Sequence, residues 1–163
     1  MTIIRIDKTQ GDLVFDLFDK YRVFYKQQSD IATAKQFIQE RLDDNESAIF
    51  VAFDTNDDRP IGFTQLYPKY SSVRVIKNWI LNDLYVDKEY RKKGIGENLI
   101  KTAMDFARQN GAKFVELSTA VDNYTAQSLY EQVGFKKLEP ETDFFTYRIS
   151  LTEEYGRQQT VWQ

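Results

Sequence analysis

Cysteine and histidine are both absent from this 163-residue chain. Without cysteine there is no disulfide, no thiolate metal site and no cysteine nucleophile. Without histidine the chain lacks the commonest general base and the commonest metal ligand, which excludes a Ser–His triad and an ordinary zinc site. Any proton transfer must therefore use tyrosine, a carboxylate, bound water or the substrate itself, and we expect no metal.

A strong excess of charge of one sign is also missing. The 22 basic and 25 acidic residues are interspersed and give a formal net charge of −3. No one-sided basic face suits a phosphate backbone, so we expect no nucleic-acid partner. No run approaches the roughly 20 apolar residues of a membrane span, and residues 1–8 lack the apolar core of a signal peptide. We therefore expect a cytoplasmic protein with no membrane partner.

Aromatic residues, by contrast, are abundant at 15% of the chain, and the length suits one domain. Apolar periodicity predicts a strand, two helices, three successive strands, a helix, a strand, a helix and two last strands, at Phe135 and at 144–151. This order, β-α-α-β-β-β-α-β-α-β-β, indicates an α/β (α+β) fold with a central sheet of about seven strands. We place the single domain at residues 1–152 and a polar tail at 153–163.

The segment most informative about chemistry follows the strand that ends at Val86. After a polar break, Arg91-Lys92-Lys93-Gly94-Ile95-Gly96 opens an amphipathic helix. Gly94 and Gly96 let the backbone turn so that successive N–H groups point at an anion at the positive end of the helix, and the three cations add charge nearby. The pattern predicts a pyrophosphate cradle. The alternative is a solvated basic loop whose glycines only make the turn.

Two motifs together resemble the GNAT superfamily of N-acyltransferases. Its Q/R-x-x-G-x-G/A signature is matched by Arg91, Gly94 and Gly96. Its N-x-x-A-x-x-L-Y-x-x-x-G-F pattern is matched in VDNYTAQSLYEQVGF, which begins at Val121 and contains Asn123, Ala126, Leu129, Tyr130, Gly134 and Phe135. The likeness is specific mainly from Leu81 to Phe135. It implies the GNAT fold, with a mixed sheet splayed between the fourth and fifth strands, and acetyl-CoA as cosubstrate.

The resemblance also implies roles for particular residues. Pantetheine would pair with the backbone near Leu84, Tyr85 and Val86, and the diphosphate would bind the cradle formed by Arg91, Lys92, Lys93, Gly94, Ile95 and Gly96. Asn123, with Ala126 in the same motif, would contact pantetheine or nearby backbone, and the Tyr130 hydroxyl would protonate the departing thiolate. The alternatives are that Asn123 only caps a helix and that Tyr130 is a core aromatic residue.

The proton acceptor is not fixed by the sequence. Where diamine acetyltransferases read L-E-D, this chain has Leu81-Asn82-Asp83, and Asn82 cannot be a base. Asp83, another carboxylate, or a water chain held by Asn82 and a tyrosine are the alternatives, and we favour the water route. Strand alternation places Asp83 on the opposite side from Asn82, where neighbouring backbone or a basic partner could instead satisfy its charge.

The acyl acceptor is not identified by any motif. Tyr25, Tyr67, Trp79 and Tyr85 are candidates for an acceptor cleft, with ordinary aromatic packing as the alternative for each. We expect acetyl transfer to a primary amine, with a small, polyamine-like or amino-acid acceptor favoured over a protein N-terminus or lysine. A degenerate acyl-CoA sensor and a dimer-forming scaffold stay open as alternatives. Because members of this superfamily often dimerise, we also expect a homodimer associated through the last strands.

Overall fold

The computed structural model describes residues 1–155, and this part of the chain contains five strands and four α-helices. In chain order they are β1 (Thr2–Arg5), α1 (Phe15–Phe24), α2 (Ile31–Asp43), β2 (Ala48–Phe53), β3 (Pro60–Ser71), β4 (Ile76–Val86), α3 (Ile95–Gln109), β5 (Val115–Glu116) and α4 (Tyr124–Val133). Short 3-10 turns lie at Gly11–Leu13, Lys88–Tyr90 and Glu153–Tyr155. The chain forms two compact units, Met1–Leu117 and a second that begins at Ser118. The boundary of a single domain at residue 152 stays a prediction, and 156–163 of the predicted tail lie outside the described residues.

The sheet of the first unit has the strand order β1-β2-β3-β4-β5. The first four strands are antiparallel neighbours, whereas β5 runs parallel to β4, so the predicted mixed sheet is confirmed. The pairing of β5 is short, because only Trp79 and Ile80 of β4 have partners in it. Within the described residues, the half of β4 that leads to the glycine turn, Leu81–Val86, therefore has an unpaired edge on the side of β5.

The prediction of about seven strands is wrong for the described residues, which form five. The last two predicted strands, at Phe135 and at 144–151, are not formed. Phe145, Tyr147 and Ile149 do alternate with polar residues, but they are exposed by 83% or more. Strand propensity reflects packing on a neighbouring strand, and the alternation alone does not supply that neighbour.

Helices cover both faces of the first unit's sheet. Phe63 contacts Phe18 and Tyr21 of α1, at ring distances of 6.2 and 5.9 Å. The preceding residue, Gly62, faces α3, where an added Cβ would come within 3.3 Å of the Leu99 side chain. Successive residues of a strand point to opposite faces, so α1 and α3 lie on opposite sides of the sheet. Fully buried side chains such as Phe63 and Leu99 each stabilise the fold by about 1.5–3 kcal/mol.

Helix α3 forms where the apolar spacing predicts it. Its buried residues repeat at helical spacing and are Ile95, Leu99, Ile100, Ala103 and Ala107. The helix ends before Asn110-Gly111, and Gly111 has a φ of +79°, so the predicted glycine stop is confirmed. None of the helices in residues 1–155 has the length and apolar character needed to cross a membrane.

Candidate active site

The turn that joins β4 to α3 is held firmly at its first residue. The Asp87 amide donates to the carbonyl of Ile61 at 2.8 Å, which ties the turn to β3. The Asp87 carboxylate accepts from the Lys88 amide at 3.0 Å and lies 3.5 Å from the Lys20 ammonium of α1. These bonds fix where the chain leaves the sheet and therefore where α3 begins.

The start of α3 has the geometry of an anion site. Gly94 precedes the helix with a φ of +81°, and Lys92 also has a left-handed φ, of +62°. Gly94 has no side chain with which to cap the helix, and the first backbone bond of the helix runs from the Asn98 amide to the Gly94 carbonyl at 3.0 Å. Among the described residues, none accepts from the first N–H groups of the helix, those of Ile95 to Glu97. Left-handed residues of this kind form concave groups of N–H donors, which bind phosphates at the positive end of a helix.

The three cations of the motif occupy different environments. Arg91 donates from Nε to the Val86 carbonyl at 2.8 Å. Its guanidinium carbon lies 5.5 Å from the Phe24 ring centre and 5.4 Å from that of Tyr85. Lys92 and Lys93 are exposed. Arg91 thus holds the turn against β4 and α1, while the two lysines supply accessible positive charge.

Tyr90 contributes a tether that sequence reasoning missed. Its hydroxyl donates to Asp54 Oδ2 at 2.7 Å and accepts from Arg59 Nη2 at 2.5 Å. Both partners belong to the connection between β2 and β3. Because Tyr90 directly precedes Arg91, its hydroxyl links this connection to the start of the glycine turn. The hydrogen bond to Asp54 is the main reason that the pKa of Tyr90 is raised. No local pattern signals a pair 36 residues apart in the chain.

A bulge in β4 brings Asn82 and Asp83 together. Asp83 pairs with Gln65 and Leu81 with Leu66, which leaves Asn82 as the extra residue. The Asn82 amide then donates to Asp83 Oδ1 at 2.7 Å. The prediction that the two side chains lie on opposite sides of the strand is therefore wrong, because strict alternation holds only where the register is regular.

Asp83 is the buried carboxyl group of this region, with 2% of its surface exposed. Burial raises the pKa of Asp83, while hydrogen bonds from Asn82, Gln65 and Tyr21 act in the opposite direction. Within the described residues its hydrogen-bond donors are neutral, so the basic partner considered from the sequence is not present there. A carboxyl group whose pKa is moved toward neutrality is chemically suited to accept and release a proton.

Tyrosine side chains surround Asp83 on the face covered by α1. Tyr25 packs against Tyr21 with ring centres 5.0 Å apart and is 41% exposed. Burial, and to a lesser extent the Asp83 charge, raise the pKa of Tyr25 and of Tyr67. Tyr85 lies on the same face, because it pairs with Phe63 in the register. Three of the four predicted cleft aromatics, Tyr25, Tyr67 and Tyr85, therefore share one side of the sheet.

Trp79 lies on the opposite face of the sheet from these three tyrosines. It pairs with Pro68, the residue after Tyr67, and so points to the other face. There it is 5% exposed and packs on Phe106 of α3 with ring centres 5.0 Å apart. For Trp79 the packing interpretation is the one that the geometry supports.

The second unit contains the other motif. Asn123 Oδ1 accepts from the Ala126 amide at 3.2 Å, so Asn123 caps α4. Tyr130 lies on α4, and its ring packs edge-on against Phe135 at 6.0 Å. The contact of Asn123 with pantetheine and the acid role of Tyr130 stay predictions. Within residues 1–155, no group of three or more acidic residues is arranged to hold a metal ion.

The chain is similar to known acetyltransferases over most of its length. Residues 12–135 match the sequence profile of the Acetyltransferase (GNAT) family. The uncharacterized N-acetyltransferase YhfO of Bacillus subtilis is 42% identical over 93% of this chain and 98% of its own length. A probable acetyltransferase of Haemophilus influenzae is 29% identical over 92% of this chain and 99% of its own length.

Solved structures share the architecture. A crystal structure of a probable acetyltransferase superimposes with a TM-score of 0.83 at 37% identity and covers 94% of this chain and 100% of its own. The aminoglycoside N-acetyltransferase AAC(6')-Iy, solved in complex with CoA, has a TM-score of 0.74 at 19% identity. The match covers 91% of this chain and 95% of that chain. At that identity the likeness shows the fold alone.

Proposed function

The chain belongs to the Acetyltransferase (GNAT) family and is an N-acetyltransferase, and we propose that it transfers acetyl from acetyl-CoA to a primary amine by direct attack in a ternary complex. The observation that carries this proposal is the start of α3 at Gly94, which no residue of 1–155 caps, after a strand whose outer edge is unpaired within the same residues. A diphosphate accepts hydrogen bonds at such a helix start, and an extended pantetheine fits beside such an edge.

The cofactor would be held by backbone more than by side chains. The N–H groups of Ile95 to Glu97 face the diphosphate, with Lys92 and Lys93 adding charge. The free edge of Leu84, Tyr85 and Val86 pairs with pantetheine, in the splay between β4 and β5 that the family resemblance implies. The short pairing of β5 supports this arrangement, because β5 covers only Trp79 and Ile80 of β4.

The reaction needs one proton acceptor and one donor. The neutral amine attacks the thioester carbonyl carbon, the C–N bond forms and the C–S bond breaks. The sulfur leaves as a thiolate, which takes its proton from Tyr130, the role that the family resemblance implies. The proton that the attack leaves on the nitrogen passes to Asp83, and because only 2% of Asp83 is exposed we place a water held by Asn82 between the nitrogen and the carboxylate.

The favoured acceptor is a small or polyamine-like amine. The tyrosines around Asp83 offer ring faces and hydroxyl groups, which suit an alkylammonium group. A protein N-terminus or lysine is the alternative acceptor class. We further propose that the enzyme is cytoplasmic and works as a homodimer.

A thiol-release assay with acetyl-CoA across a panel of amines tests this function. We expect turnover with at least one small amine and a strong loss in Tyr130→Phe. Asn82 at a position where diamine acetyltransferases carry glutamate favours a second candidate, an acyl-CoA sensor without turnover. Tight CoA binding by calorimetry, with no amine raising thiol release above the level of Tyr130→Phe, would establish the sensor instead.

A further inference from the structure

The hydrogen-bond network of Asp83 continues away from the strand edge to Ser47. Ser47 Oγ donates to Gln65 Oε1 at 2.8 Å, and Gln65 Nε2 donates to Asp83 Oδ2. All three residues are buried, with exposed fractions of 5% for Ser47, 0% for Gln65 and 2% for Asp83. Ser47 lies just before β2, so residues from separate parts of the chain form one buried line.

The orientation of the Gln65 amide depends on the protonation state of Asp83. An ionised carboxylate only accepts hydrogen bonds, so it requires the NH₂ end of the Gln65 amide. In that orientation Ser47 Oγ satisfies the carbonyl end by donating to it. When Asp83 takes up a proton, the amide can reverse, so that its carbonyl accepts from the carboxylic acid and its NH₂ donates to Ser47. A hydroxyl serves both states because it donates and accepts.

We propose that Ser47 is a positioning residue for proton transfer at Asp83, which acts through the Gln65 amide to keep the buried carboxyl group hydrogen-bonded in both of its protonation states. This inference rests on the proposed function, in which Asp83 is the proton acceptor. It explains why a buried serine stands behind the buried Gln65, where an apolar residue would leave the amide carbonyl without its donor.

Other groups also face Asp83 and must be held constant. Tyr21 approaches from α1, Tyr25 from the position directly after α1, Tyr67 from β3, and Asn82 from its own strand. Arg41 and Glu46 act electrostatically on Tyr67. A substitution at Ser47 changes none of these side chains, so its effect on Asp83 is transmitted by the hydrogen bonds from Ser47 to Gln65 and from Gln65 to Asp83.

The test is a carboxyl ¹³C NMR titration of Asp83 together with the pH profile of kcat/KM. In Ser47→Ala, the Gln65 amide loses its partner in both protonation states, and the charge-assisted bond to the carboxylate is weakened more than the neutral bond to the carboxylic acid. We expect the pKa of Asp83 and the acidic limb of the profile to rise together by about 0.5–1 pH unit. Ser47→Thr should restore both to within about 0.2 unit of the wild type, because its hydroxyl can occupy the same place.

Two further variants separate positioning from packing. Thr64→Val removes a buried hydroxyl bond of 2.7 Å to the Asp83 backbone carbonyl, and should leave the titration unchanged. In a Gln65→Met background, Ser47→Ala should add no further shift, because the link between the two residues is gone. An unmoved Asp83 titration in Ser47→Ala, or an equal shift in Thr64→Val, overturns the proposal.

Asp83→Asn separates the proposed role of Asp83 from the proposed role of Ser47. If that variant keeps full activity and the acidic limb, Asp83 is not the proton acceptor and the positioning role fails with it. If Asp83→Asn is inactive but Ser47→Ala titrates like the wild type, the proposed acceptor stands and only the role of Ser47 is lost.

Discussion

The side-chain amide of Asn82 donates to the carboxylate of Asp83 at 2.7 Å, although the two residues are neighbours in one strand. The bulge in β4 makes this possible, because Asn82 is the extra residue in the register while Asp83 pairs with Gln65. A neutral amide thereby stands beside the buried carboxyl group. A glutamate at this position would instead place a second negative charge there and raise the pKa of its neighbour further.

The buried Asp83 should make the stability of the protein fall as pH rises. Its pKa in the folded chain is raised above the unfolded value of about 3.9, so between those two pKa values the folded state binds more protons than the unfolded state. The free energy of unfolding therefore declines with pH through that window and levels off above it. Asp83→Asn should flatten this decline in urea titrations taken at intervals from about pH 4 upward.

Asp54→Asn provides a control, because the pKa of Asp54 is shifted in the opposite direction from that of Asp83. The Asn56 amide and the Tyr90 hydroxyl lower the pKa of Asp54, so its contribution to stability is present above the unfolded pKa and is lost as pH falls. Because that window lies below the unfolded pKa of about 3.9, Asp54→Asn should leave the decline at higher pH largely unchanged. A decline that is the same in Asp83→Asn and the wild type would show that Asp83 is not responsible.

Gly94 and Gly111 form a matched pair for testing the cradle. They lie at the two ends of α3 with φ values of +81° and +79°, and a Cβ on either would meet no atom of the described residues within 4 Å. Leucine at either position should cost a similar 1–2 kcal/mol, roughly, from the left-handed backbone. Only Gly94→Leu should abolish CoA binding by calorimetry. Equal CoA affinity in the two variants would argue against a cradle at the start of α3.

The parts of the site that were predictable from sequence are the local ones. Gly94 and the start of α3 follow from a motif a few residues long, and Asn123 caps α4 through its own side chain, a preference of asparagine that depends on neighbouring residues alone. The bulge at Asn82 depends on how β4 pairs with β3, and the Tyr90–Asp54 bond joins distant segments, so neither has a local signal. The alternation at Phe145 to Ile149 predicted a strand wrongly, because pairing needs a neighbour as well as a pattern.

Tyr25 and Trp79 should respond oppositely to conservative replacement. Tyr25 is partly exposed beside Asp83, so Tyr25→Phe should raise the KM for the amine several-fold with little loss of stability. Trp79 is packed on Phe106, so Trp79→Phe should lower the free energy of unfolding by about 1–3 kcal/mol and leave the amine KM unchanged. An amine KM raised by Trp79→Phe and unaffected by Tyr25→Phe would contradict the assignment of faces.

Tyr130→Phe should reduce kcat by about 10²-fold or more, the range for losing a positioned general acid, while CoA affinity changes little. Tyr124, on the same helix and 71% exposed, supplies the control, since Tyr124→Phe should leave both quantities unchanged. Stopped-flow thiol release and calorimetry measure the two effects separately. Equal losses of turnover and affinity in Tyr130→Phe would indicate a packing role.

The apolar residues of 144–151 should mediate a homodimer. Phe145, Tyr147 and Ile149 alternate with Thr146 and Arg148, and all five are exposed in the single chain. Contiguous exposed apolar side chains of this kind mark association surfaces. Multi-angle light scattering should give twice the 19.2 kDa of the chain for the wild type. Ile149→Asp should give the monomer mass and Arg148→Asp the dimer mass, because only the first places a charge among the apolar side chains. A wild-type mass of one chain at micromolar concentration would rule out this association.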